Sequence, residues 1–147
     1  DIRVGDTVTV ERAGDVIPHI LSVDINKRPK KSIKFIFPNK CPSCGSTTIK
    51  EFNKVTKKID AVRRCSSEGY FCDKISIEKL KHFVSKDAFN IDGFGKKIVE
   101  TFWNLNLIKF PQDIFNLNYD KIEKLEGWGK LSVENLKYSI NQKKIFH

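Results

Sequence analysis

Four cysteines in two pairs constrain this chain more than anything else in it. Cys41-Pro42-Ser43-Cys44 is followed, after twenty residues, by Cys65, and Cys72 completes the set; there are no other cysteines. Four thiolates in two knuckles can surround one Zn2+ tetrahedrally. The first knuckle reads Cys-Pro-x-Cys-Gly, with Gly45 easing the backbone where the turn closes. The second pair is looser, with six residues between its cysteines. Two disulfides are the first alternative. A Cys41–Cys44 bridge would close a short, strained ring, and nothing in the chain reads as secreted. A redox Cys-x-x-Cys would need a β-α-β setting, whereas Cys44 runs into the loop sequence Gly45-Ser46-Thr47-Thr48. Cys41, Cys44, Cys65 and Cys72 are therefore expected to hold a structural zinc ion.

The chain has 147 residues and a formal net charge of +9, so a polyanionic partner is expected. An anionic membrane surface is the rival to nucleic acid. The longest apolar runs, such as Phe35-Ile36-Phe37, are far too short to cross a bilayer. Thiols used as metal ligands point to a reducing cytoplasm. The chain opens at Asp1 without a methionine and reads as part of something longer.

Residues 1–38 read as β. Val4, Val8 and Val10 recur at roughly period two, Gly5-Asp6 marks a turn, and a second extended stretch runs from Val16-Ile17-Pro18 to Val23-Asp24-Ile25. Ala13-Gly14-Asp15 joins them, Pro18 suits an edge or bulge, and Phe35-Ile36-Phe37-Pro38 closes the section. The run Lys27–Lys34 reads either as a solvated basic loop or as a direct DNA contact, with the solvated loop slightly favoured. Between the knuckles, Ile49 to Val62 alternates charged and apolar residues, which suits a short hairpin. From Ser76, a plausible N-cap, the pattern turns helical, with Ile77, Leu80, Phe83 and Val84 on one face. His82 reads as an ordinary helix histidine, since the cysteines already supply four ligands.

An internal repeat organises the C-terminal half. Ile91-Asp92-Gly93-Phe94-Gly95-Lys96 recurs as Leu125-Glu126-Gly127-Trp128-Gly129-Lys130, offset by 34 residues, and Val99, Glu100 and Phe102 pair with Val133, Glu134 and Leu136. Each copy follows a short helical segment and precedes an amphipathic helix. An apolar-x-Gly-apolar-Gly turn between helices is the helix-hairpin-helix signature. Both glycines are expected to allow positive φ and close backbone approach. Phe94 and Trp128 are expected to tuck under their hairpins. The unpaired N–H groups opening the following helix, near Lys96, Lys97 or Lys130, then suit a phosphate oxygen. Ordinary helix connections with glycine caps are the alternative. Trp103 reads as core.

The order of parts resembles the bacterial NAD-dependent DNA ligases. Val4-Gly5-Asp6-Thr7-Val8 and Arg12-Ala13-Gly14-Asp15-Val16-Ile17-Pro18 are similar to that family's oligonucleotide-binding (OB) fold signature. Leu80-Lys81-His82-Phe83-Val84-Ser85 and Asp92-Gly93-Phe94-Gly95 look like its sequence after the finger. The resemblance implies an α+β, multi-module chain: the C-terminal part of an antiparallel OB fold over 1–38, a four-cysteine zinc finger over 39–75, and an all-α helix-hairpin-helix region over 76–147. It implies a clamp on nicked double-stranded DNA, with Arg12, Val16 and Ile17 in the minor groove. Gly93, Phe94, Gly95, Lys96, Lys97, Gly127, Trp128, Gly129 and Lys130 would then lie on phosphates. The family seals nicks with AMP taken from NAD, with Mg2+, through a Lys-x-Asp-Gly lysine. Here the only Asp-Gly, Asp92-Gly93, follows Asn90-Ile91. The chain is thus expected to bind DNA without catalysis, no oligomer or membrane contact is expected, and the adenylation and BRCT domains would lie outside it. A zinc and helix-hairpin-helix module of another DNA-processing protein would share the finger and repeat but has no reason to carry the Arg12–Pro18 stretch, and a protein–protein adaptor using zinc only for folding would be separated by DNA binding of the folded chain.

Overall fold

The computed structural model describes residues 1–14 and 17–144. The chain divides into two compact units, Asp1–Asn39 and Lys40–His147. No helix among the described residues is long and apolar enough to cross a membrane.

The first unit is built on one antiparallel hairpin, β1 (Thr7–Ala13) with β2 (Ile17–Asp24). The ladder runs from Thr7 opposite Asp24 to Ala13 opposite Ile17. Its register slips between Thr9 and Val10, which face Ser22 and Ile20, so Leu21 is the extra residue of a bulge. Pro18 sits within the ladder opposite Arg12 rather than at the bulge. Val4, Val10, Ile17, Ile20 and Leu21 are all exposed. What pins this unit is polar. After β2 the chain makes a 3-10 turn, Ile25–Lys27, capped by the Asp24 carboxylate, which accepts from the Asn26 N–H at 3.1 Å. Arg28 then reaches back, its Nε and Nη2 each donating to the Asp6 carboxylate at 2.8 Å. The Arg3 N–H donates to the same carboxylate at 2.9 Å, and Arg28 Nη2 also donates to the Asp1 carbonyl. The expectation of a solvated run over Lys27–Lys34 therefore fails at Arg28. A guanidinium fork matches a carboxylate in two bonds, and Asp6 lies within its reach. Nor does the β section extend to Pro38: residues 33–38 form no strand, and the Phe35 and Phe37 rings meet edge-on at 4.9 Å.

The second unit opens with the first cysteine knuckle and a hairpin, β3 (Thr48–Asn53) with β4 (Lys58–Cys65). Four helices follow: α1 (Asp73–Val84), α2 (Lys96–Asn104), α3 (Tyr119–Glu123) and α4 (Lys130–Gln142). Helix α1 starts three residues before the expected cap. Cys72 is its N-cap, while Ser76 is buried in its second turn, its hydroxyl donating to the Tyr70 and Cys72 carbonyls at 3.0 Å. The buried serine satisfies its hydroxyl on carbonyls rather than on the N–H groups of a helix start. Lys81 ties α1 to α2 by bonding Glu100 at 2.7 Å as well as Glu78 at 2.6 Å.

The apolar core belongs to these helices. Buried residues recur at helical spacing, Val99, Phe102 and Trp103 on α2 and Val133, Leu136 and Ile140 on α4. Leu80 and Val84 of α1, Ile91 and Phe94 of the following turn, Ile122 of α3, and Ile108, Ile114 and Leu117 between α2 and α3 join the cluster. The 34-residue repeat thus places both copies' core residues in one cluster. Phe102, wholly buried, touches Phe94 and Trp128 with ring centroids 5.5 Å away in each case. Lys109 lies 4.1 Å over the Trp103 ring, which is core as the sequence suggests.

Phe102→Ala should cost about 3–5 kcal/mol, as large-to-small aromatic truncations in a packed core do; chemical denaturation followed by tryptophan fluorescence measures it. The bond from Arg28 holds the Asp6 carboxyl below its usual range. A lowered folded-state pKa means stability present at neutral pH and lost as pH falls below about 4. Asp6→Asn should therefore weaken the β1–β2 hairpin at pH near 7 and flatten its acid loss, read from amide NMR signals of β1 and β2 through an acid titration.

Candidate metal centre and nucleic-acid interface

The two knuckles converge because each is fixed by its own backbone bonds. The Gly45 N–H donates to the Cys41 carbonyl at 2.9 Å, the Cys41 N–H donates to the Ser46 carbonyl at 2.7 Å, and Gly45 takes φ +74°. The Ser66 N–H donates to the Thr47 carbonyl at 3.0 Å, bringing the end of β4 beside the first knuckle. The sulfurs of Cys41, Cys44, Cys65 and Cys72 all lie within 4.8 Å of one another. Cys41 and Cys72 Sγ are 3.9 Å apart, and Cys44 and Cys65 Sγ 3.5 Å. A tetrahedron of Zn–S bonds has edges of about 3.8 Å, so this donor set fits zinc. All four thiols are free. The wide spacing of the second pair is absorbed because Cys65 ends a strand while Cys72 caps a helix. The His82 side chain is not one of the clustered donors; it is exposed.

Outer bonds support the cluster. The Ser67 N–H donates toward Cys65 Sγ at 3.4 Å, and the Ser67 hydroxyl lies 3.3 Å from Cys44 Sγ and 2.9 Å from the Ser46 hydroxyl. Bonds from Ser46, above all, and from Ser67 bring the Cys44 thiol down to about 6. Such bonds fix and tune ligands. Ser46 and Ser67 escaped the sequence reading, and their only signal is that each lies two residues from a cysteine.

The two glycine turns have matching backbones. The Phe94 N–H donates to the Ile91 carbonyl at 3.2 Å, and the Trp128 N–H to the Leu125 carbonyl at 3.0 Å. Gly93 has φ +77° and Gly127 φ +79°. A β-carbon there would be strained. The second glycine of each pair differs from expectation: Gly95 and Gly129 are extended N-caps of α2 and α4. No atom lies within 4 Å of where a β-carbon at either would sit, so nothing inside the chain demands a glycine there. Neither cap offers a side-chain bond, and neither helix has an acidic residue in its first turn. The opening N–H groups and the positive helix end are thus left uncompensated. Lys96, Lys97 and Lys130 stand exposed there. Phe94 is buried and Trp128 half-buried, so these two hold their turns from inside.

Both elbows border one groove of about 550 Å3, with Asp92, Gly93 and Ile98 on one side and Gly127 and Trp128 on the other. Ser132, Asn135 and Ser139 of α4 also line it. Sequence reading missed this polar stripe, although its i, i+3, i+7 spacing runs beside the apolar stripe it did use. In the first unit, Arg12 and Ile17 are exposed near the hairpin's turn. Val16 lies outside the described residues.

The chain should bind one zinc ion per molecule. Chelation should melt the knuckles and the start of α1, seen as loss of dispersed amide signals for residues 41–76. Because protons compete for the four thiolates, zinc affinity should fall as pH drops; competition with a chromogenic chelator across pH checks the sign.

A family model, the NAD-dependent DNA ligase OB-fold domain, matches residues 1–32. Curated relatives extend the likeness. A DNA ligase of Pelagibacter ubique is 75% identical over 144 residues, 98% of this chain and 21% of that protein. DNA ligases of Azorhizobium caulinodans and Agrobacterium fabrum are 45% and 43% identical over 98% of this chain, and 20% and 21% of their own lengths. The chain spans about a fifth of the curated relatives it matches.

Proposed function

We propose, for a chain that resembles a segment of the NAD-dependent DNA ligases over nearly its whole length, the role of holding duplex DNA around a nick. The observation that carries this reading is the pair of elbows: two uncapped helix starts, each behind a glycine with open space before it and a lysine beside it, bordering one groove. Two such anion sites suit successive phosphates. Peptide N–H groups and lysines on phosphates position a protein without reading sequence. In this reading the turns are helix-hairpin-helix motifs, and Gly95 and Gly129 are glycine so that a phosphate oxygen can come close. Arg12, Val16 and Ile17 are the minor-groove contacts, consistent with an exposed apolar Ile17 near the hairpin turn. The ligase signature over residues 1–32 favours this reading over a zinc module of some other DNA-processing protein.

The chain has no Lys-x-Asp-Gly sequence. Adenylate transfer from NAD, the Mg2+ that serves it, and nick sealing in replication and repair accordingly belong to the longer protein. The 147-residue chain binds without sealing and works as a monomer in the cytoplasm.

Fluorescence anisotropy with nicked and intact duplexes at two salt concentrations tests this. Log affinity should fall with log salt at about −0.9 per phosphate neutralised. Nicked duplex should bind more tightly than intact duplex, and Ile17→Ala should shrink that difference. A nicked duplex held no better than a random acidic polymer would falsify the reading. Lys96→Glu and Lys130→Glu should each weaken binding and lower the salt slope by about one. Both place an acid at the first turn of a helix, which favours the fold by about 0.3–1 kcal/mol. A loss of DNA affinity without loss of thermal stability therefore separates contact from misfolding.

A further inference from the structure

The four sulfurs are not equivalent. Cys41 and Cys72 are buried, Cys72 to 1% exposure, whereas Cys44 and Cys65 are half-buried. Cys44 and Cys65 Sγ are 3.5 Å apart, the shorter of the two close pairs. Cys65 also borders an open depression of about 680 Å3, lined by Arg64, Lys74, Lys79 and His82 among others. Arg64 is held by Glu51 and Asp60, and Lys79 by the Gly69 carbonyl at 2.7 Å, so this mouth stays formed. The depression opens Cys65 to a small oxidant, whereas Cys41 and Cys72 are buried.

We propose that the cluster is a peroxide-sensitive release point, in which Cys44 and Cys65 join as a disulfide and the metal is lost. The inference rests on the zinc reading of the four cysteines. The Cys65 thiolate, which borders the depression, attacks the O–O bond of a hydroperoxide and keeps one oxygen as a sulfenic acid; the other oxygen leaves with protons as water, or as an alcohol. The Cys44 thiolate, 3.5 Å away, then attacks that sulfur, forming the S–S bond and expelling hydroxide, which is protonated to water. The two sulfurs give up two electrons and the peroxide is reduced. Cys41 and Cys72 alone cannot retain the ion. Because Cys72 caps α1 while Cys44 and Cys65 belong to the knuckle and to β4, the new bond keeps the hairpin closed but unties it from the helix. A thiol reductant with added zinc reverses the change.

The test uses the full chain loaded with zinc. It is exposed to hydrogen peroxide while a chromogenic chelator reports released metal, then alkylated and mapped by peptide mass spectrometry. The expected result is loss of zinc together with Cys44–Cys65 as the most abundant linkage, reversed by dithiothreitol and zinc. Equal or greater yield of any of the five other cysteine pairs, or zinc retained at peroxide levels that oxidise free cysteine, overturns the proposal and leaves the zinc reading intact. A chain that binds no zinc before oxidation overturns both.

Discussion

The ring of Phe102 is the contact on which the candidate nucleic-acid face depends. It meets Phe94 of the first elbow and Trp128 of the second at the same 5.5 Å separation, from a helix that itself starts at the first elbow. Each elbow alone is a short turn whose glycine and uncapped amides cost stability. Shared burial of three aromatic rings offsets that cost and fixes the distance between the two helix starts. A protein that meets a polymer of regularly spaced phosphates needs such a fixed distance more than it needs any single contact.

The cysteine cluster plays the corresponding role at the other end of the same unit. The β3–β4 hairpin contributes nothing to the buried apolar cluster, and its large apolar residues Ile49, Phe52, Ile59 and Val62 are exposed. Cys65 at the end of β4 and Cys72 at the cap of α1 bring strand and helix together at one set of donors that fits an ion, in place of a packed interface. Small modules that cannot bury enough apolar surface are commonly stapled this way.

Much of this was readable in advance, and the exceptions share a cause. Cysteine spacing and the 34-residue repeat are local patterns with one strong physical reading each, and the sulfurs converge and the turns match. The hairpin between the knuckles and the core role of Trp103 follow from periodicity. What escaped depends on contacts between distant residues. Arg28 looked like one more cation in a basic loop until Asp6, twenty-two positions earlier, claimed it. Ser76 has the composition of a cap, but the start of α1 is set by Cys72. The two glycines of each elbow look alike on paper, yet only the first takes positive φ. The convergence of both elbows on Phe102 has no signature in spacing at all, because it is made by the way the two copies face each other.

The copies are also unequal. The first elbow is led by α1, twelve residues long and anchored at the cysteines, and the second by α3, only five residues long with Asn118 as its cap. A helix of one turn cannot persist without its neighbours. The second elbow therefore exists only while α4 and Phe102 hold it, whereas the first has independent footing. Local opening of this unit therefore starts at the second elbow.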